Sequence, residues 1–162
     1  MPETVSETVV LGIGNELMRD EGVGVIAARA LGAEHLPEGV QVVEGGTGGL
    51  DLLFELEGRS RAIIIDAVEM KAPPGTVRSF TLDEVDIDMA APIASLHQIG
   101  LADVLEIGSL VGPMPEIHVV GVQPKEVAPG TGLTPEVGQA VSAVIEQVKH
   151  LLQLPAAGTR DA

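Results

Sequence analysis

The chain has 162 residues, 45% of them hydrophobic, with 24 acidic against 9 basic side chains and a formal net charge of -15. That length suits one domain with a sizeable core. The charge opposes a nucleic-acid partner, which needs Lys and Arg against phosphate, and two Phe with no Trp or Tyr give no platform for stacking single strands. The absence of cysteine excludes disulfides, thiolate-bound structural zinc and a cysteine nucleophile. Met1 to Glu7 carries acids and no basic start, unlike a secretory signal. No apolar run approaches the roughly 20 residues that span a bilayer, so no membrane partner is expected and a cytoplasmic address fits.

Thr8 to Ile13 is a short continuous apolar run, the pattern of a strand buried on both faces. It runs into Gly12-Ile13-Gly14 and then an acidic turn, Asp20-Glu21. A helix is predicted over Gly22 to Leu36, with Val23, Ile26, Ala27, Ala30 and Leu31 at helical spacing. Pro37 to Gly39 reads as a turn and Val40 to Glu44 as the second strand. Gly45-Gly46-Thr47-Gly48-Gly49 is a loop able to take positive φ and to approach another group closely. A helix over Leu50 to Leu56 follows. The clearest strand is Arg61 to Val68, in which Ala62-Ile63-Ile64-Ile65 runs up to Asp66.

Pro73-Pro74-Gly75 turns the chain, and Thr76 to Thr81 returns as a shorter strand whose brief connection implies antiparallel pairing. Leu82 to Ala94 is an acidic loop. Ser95 and Gln98 have the form of a capping box for a helix reaching about Val111. Ile117 to Gln123 is another buried strand and Pro124 to Gly132 a loop. Thr134 caps the last helix and Pro135 takes its first position. Val137, Val141, Val144, Ile145, Val148 and Leu152 form its inner stripe. The order β-α-β-α-β-β-α-β-α predicts an α/β fold, a mostly parallel sheet between helical layers. The whole of 1–162 reads as a single domain, with loose ends at 1–7 and 155–162.

In such sheets ligands bind beyond the carboxyl ends of the strands, where the strand order reverses. Three polar groups fall at that edge: Glu21 after the first strand, Asp66 at the end of the third, and His97 in the first turn of the third helix. Two carboxylates and an imidazole are a common ligand set for zinc, iron or nickel. Three protein ligands leave coordination positions open, as catalytic sites require. Each has a duller explanation: Glu21 as a first-turn acid, Asp66 as a strand-end turn residue, His97 as a satisfied helical histidine. His35, His118 and His150 read as structural. Gly12-Ile13-Gly14 hints at a dinucleotide fingerprint, but Leu17 stands where the third glycine belongs, and phosphate would meet Asp20 and Glu21.

Taken together, Gly12-Ile13-Gly14-Asn15, Asp20-Glu21-Gly22-Val23-Gly24, Gly45-Gly46-Thr47, Asp66-Ala67 at a strand end and His97-Gln98 with Gly100-Leu101 resemble the hydrogenase maturation endopeptidases. Val119 to Pro124 and Gly132 to Pro135 fit as well, and the likeness runs from about Val9 to Leu152. The resemblance implies a three-layer α/β/α fold of the phosphorylase/hydrolase-like kind. Its five-stranded twisted sheet would have the order 2-1-3-5-4, with strand four antiparallel. It implies an endopeptidase, aspartyl-type or metal-dependent, that removes a C-terminal extension from the large-subunit precursor of a nickel-iron hydrogenase after nickel insertion. The family's metal-contacting Glu, Asp and His fall on Glu21, Asp66 and His97. Glu44 stands where the family commonly has Asp, and Glu44, Gly45, Gly46 and Thr47 are candidates for positioning substrate.

Two carboxylates and one imidazole should hold nickel less firmly than the precursor's thiolates, so the metal is expected to arrive on the substrate; zinc or cadmium could take its place in a crystal. Two rivals stand beside this reading. A peptidyl-tRNA hydrolase would need a histidine shortly after Asn15, where none occurs. A non-catalytic nickel-site checkpoint or chaperone would bind the same precursor and leave its mass unchanged.

Overall fold

A computed structural model describes residues 7–47, 49–81 and 101–154. The described strands are β1 (Thr8–Ile13), β2 (Val40–Gly46), β3 (Arg61–Ala67), β4 (Val77–Thr81) and β5 (Glu116–Val122). The helices are α1 (Val23–Leu31), α2 (Leu52–Leu56), α3 (Leu101–Val111) and α4 (Pro135–Gln153), with short 3-10 turns at Arg19–Gly22 and Gly49–Asp51. The strands form one sheet in the order β2-β1-β3-β5-β4, parallel except for β4, which runs antiparallel to β5. Both the predicted layer arrangement and the predicted strand order are borne out.

β-branched and leucine side chains alternate across the central strands and feed two cores. On one face Val10, Ile63, Ile65, Val120 and Val122 pack with Val23, Ala27 and Leu31 of α1 and Val137, Val144, Val148 and Leu151 of α4. On the other, Val9, Leu11, Ile64, Ile117 and Val119 pack with Leu52 and Leu56 of α2 and Val104 and Leu105 of α3. Each fully buried side chain of this kind is worth about 1.5–3 kcal/mol, so two continuous aliphatic layers outweigh what any surface ion pair supplies. Neither aromatic ring joins them fully: Phe80 lies half-buried at the edge of the second core and Phe54 is 75% exposed.

Three expectations need correcting. The helix predicted over Gly22 to Leu36 is α1, only Val23–Leu31. Gly32 ends it, and Pro37 biases the preceding residue away from helical backbone. Gly45 and Gly46, expected in a loop, complete β2: the β1–β2 register slips between Gly12 and Ile13, so that Gly12 pairs with Glu44 and Ile13 with Gly46. Thr134 does precede Pro135 at the start of α4, but its side chain makes no cap hydrogen bond. Its hydroxyl is used elsewhere, at Asp20.

Glycine seats α1 on the sheet. A Cβ at Gly12 would collide with the Gly24 carbonyl, and one at Gly24 would collide with the carbonyls of both Ile13 and Ile65. The helix backbone therefore rests directly on β1 and β3, closer than any side chain would allow. That seating turns Ala28 inward as well as Ala27, which rotates the buried stripe from the one helical spacing suggested.

Candidate active site

The carboxyl ends of β1, β3 and β5 converge where β1 and β3 lie side by side, the reversal point of the sheet. The Arg19–Gly22 turn packs against β3, because Gly24 is pressed onto the Ile65 carbonyl one residue before Asp66. Glu21 and Asp66 are thereby brought together. Both are buried, at 3% and 5% exposure. Burial pushes the Asp66 carboxyl well above the usual carboxylate range; the Ala67 N–H, donating to Asp66 Oδ1 at 2.8 Å, pulls it down, and the negative charge of Glu21 pushes it up again. Two acids so placed favour a proton or a cation between them.

His97 lies outside the described residues, as do Ser95, Gln98 and Gly48. Among the described residues no three His, Asp or Glu side chains cluster as a metal site. Two of the three expected donors therefore meet, and their chemistry suits a hard or borderline divalent ion.

Asp20, given no role by the sequence, is fully buried beside them and points the other way. Its Oδ1 accepts from the Thr134 N–H at 2.8 Å, and its Oδ2 from the N–H groups of Lys125 and Glu126, both at 2.9 Å, and from the Thr134 hydroxyl at 2.8 Å. Burial opposes its charge, but these donors win and hold its carboxyl below the ordinary aspartate value. The one local signal was Thr134-Pro135, which marks a helix start; nothing nearby says the hydroxyl serves a residue more than a hundred positions away.

Glu44, at the end of β2, is engaged by Arg29 of α1, whose Nη2 lies 2.8 Å from Glu44 Oε1. The same guanidinium grips both carboxylate oxygens of Glu16, at 2.8 and 3.0 Å. Arg29 thus bridges the segment after β1 to the carboxyl end of β2. Gly45 faces Leu52 and Ile13, the Gly46 carbonyl accepts from the Gly14 N–H at 2.9 Å, and Thr47 is exposed at the lip. Gln123, just past β5, is also buried: its Oε1 accepts from the Met70 N–H at 2.7 Å and its Nε2 donates to Glu69 at 2.9 Å, which fastens the loop that follows Asp66. His118 pairs with Glu116 at 3.0 Å, away from this edge, as its structural reading required.

Fold and edge together define a three-layer α/β protein with an acidic site at the strand reversal. The hydrogenase maturation protease family matches residues 25–151. The chain is 41% identical to the hydrogenase 2 maturation protease of Escherichia coli over 148 residues, 90% of each protein. It is also 41% identical to the hydrogenase expression/formation protein HupD of Rhodobacter capsulatus, over 93% of this chain and 74% of the relative. Among solved structures, the hydrogenase maturating endopeptidase HybD of E. coli superposes with a TM-score of 0.81 at 38% identity, covering 90% of this chain and 91% of that one. The maturation protease HybD of Thermococcus kodakarensis superposes at 0.74 and 31%, covering 90% and 99%. The chain belongs to the hydrogenase maturation protease family.

Proposed function

We propose that this endopeptidase removes the C-terminal extension of a nickel-iron hydrogenase large-subunit precursor and does so by reading nickel already seated in that substrate. The observation that supports this is the buried meeting of Glu21 and Asp66 at the sheet reversal. Their mutual repulsion in a desolvated setting is relieved by a divalent ion. With His97 as third donor they would complete the coordination sphere of the substrate's nickel and leave room for the thiolates that already hold it. The metal supplies Lewis acidity toward the scissile carbonyl or an attacking water. The chain's own residues would supply placement: Glu21 and Asp66 dock the ion, and Gly45 to Thr47 let the extension lie against backbone.

The test is mass spectrometry of purified precursor, with and without inserted nickel, after incubation with the protein. Loss of the extension from the nickel form alone is expected. Equal cutting of both forms ends the metal-reading idea, and an unchanged precursor mass in both would instead make the protein a binder. His97→Ala should abolish cutting while the fold survives; full activity would remove His97 from the site.

A further inference from the structure

Asp20 and Glu21 are consecutive residues of one short turn, yet their carboxylates do unrelated work. Glu21 is close enough for its charge to act on Asp66, whereas the oxygens of Asp20 are committed to Lys125, Glu126 and Thr134, so Asp20 has nothing left for a ligand. The backbone is tied to the same segment. Asp20 N–H donates to the Glu126 carbonyl at 3.0 Å, Arg19 N–H to the Gly130 carbonyl at 3.1 Å, and Gly130 N–H to the Leu17 carbonyl at 2.9 Å. Arg19 Nη1 reaches the Thr131 carbonyl at 2.9 Å. The turn needs this hold. Arg19 sits at a φ of 53, a left-handed conformation that a side chain resists and that persists only where the surroundings over-determine it.

We infer that Asp20 is a positioning residue: locked by the 124–134 segment, it fixes the turn from which Glu21 meets Asp66, so that the spacing of the two metal-facing carboxylates is set from outside the site. This rests on the reading that Glu21 and Asp66 hold the substrate's metal. A residue that merely adds stability would leave metal affinity untouched wherever the protein is folded. A positioning residue would not, since donors must be held within a fraction of an ångström to bind well.

The experiment uses the full chain, cadmium ion alone as probe in calorimetry, and cleavage of nickel-loaded precursor as the second readout. Asp20→Asn keeps the size but turns an amide NH2 toward N–H donors. It should bind cadmium about tenfold or more weakly, in the range seen when groups that orient metal ligands are altered, with a matching fall in kcat/KM. Thr134→Val should show a smaller loss in the same direction and Thr134→Ser none. This pair decides the matter if Asp20→Asn does not fold. Val144→Ala, a core change in α4, should lower the melting temperature and leave cadmium affinity alone. Wild-type cadmium affinity in folded Asp20→Asn, or equal affinities for Thr134→Val and Thr134→Ser, overturns the inference, and so does a loss in Val144→Ala that tracks stability. If the wild-type protein neither binds cadmium nor distinguishes the nickel-loaded precursor, the functional reading itself has failed and the inference falls with it.

Discussion

The two loops that leave β1 and β2 at the same edge are built to opposite specifications. The turn after β1 is buried, locked by Asp20 to a distant segment and followed by a helix lying backbone to backbone on the sheet. The end of β2 and Thr47 after it are half-buried to exposed; a Cβ at Gly46, which holds a φ of 55, would meet open space, and the side-chain tie at Glu44 is the solvent-facing Arg29 fork. Rigidity sits where two carboxylates must keep a spacing, and latitude sits where a peptide would have to lie. One edge of the sheet thus divides its labour between a fixed half and an adjustable half.

The largest effect should come from the fixed half. Asp66→Asn should cut precursor cleavage by about 10²–10⁴-fold, the scale of a lost acid–base or docking carboxylate. Above the pH at which the buried Asp66 ionises, it should also stabilise the metal-free protein by about 1 kcal/mol, because a repelling, desolvated charge is then removed. The pH dependence follows in sign. The folded-state pKa of Asp66 lies above its unfolded value, so its contribution favours the folded state at low pH and is lost as pH rises through the raised pKa. Metal-free wild type should lose stability across that rise, and Asp66→Asn should not. Chemical unfolding at several pH values measures both.

Next in size, Gly24→Ala drives a methyl into two strand carbonyls. It should cost about 3 kcal/mol, a fall of roughly 6–12 °C in melting temperature for a chain this long. Gly46→Ala, in the adjustable half, meets no atom within 4 Å. Its cost is conformational only, about 1 kcal/mol, or roughly 2–4 °C. If the two substitutions cost the same, the contrast between the loops is wrong. Smallest of all, Arg29→Ala should leave the melting temperature close to that of the wild type, since the guanidinium and both its partners are solvent-facing. A larger loss would show that the ion fork braces the glycine loop after all.

Much of this was legible before any coordinates. The strands announced themselves through continuous Val, Ile and Leu runs, and the reversal point followed from the strand order that the family resemblance implied. Glu21 and Asp66 fell at that edge because each ends, or closely follows, such a run. What escaped was long-range and polar. Asp20 looks like its neighbour Glu21 in sequence, and only the return of the 124–134 segment separates a brace from a donor. Thr134 was recognised as a helix start, yet its hydroxyl serves the brace instead of the helix. Arg29 carried no local signal, because one partner lies on the connection after β1 and the other on β2. Local patterns report burial well, whereas a hydrogen bond between distant segments leaves no periodicity to read.

The aromatic-free interior has a practical consequence. With no Trp or Tyr anywhere and neither Phe ring fully buried, the protein is nearly dark in the near ultraviolet. Its tertiary packing will have to be followed through methyl resonances, since far-ultraviolet ellipticity reports secondary structure alone. In exchange, any tryptophan carried by a docking subunit can be watched against an empty background, with no label on either partner.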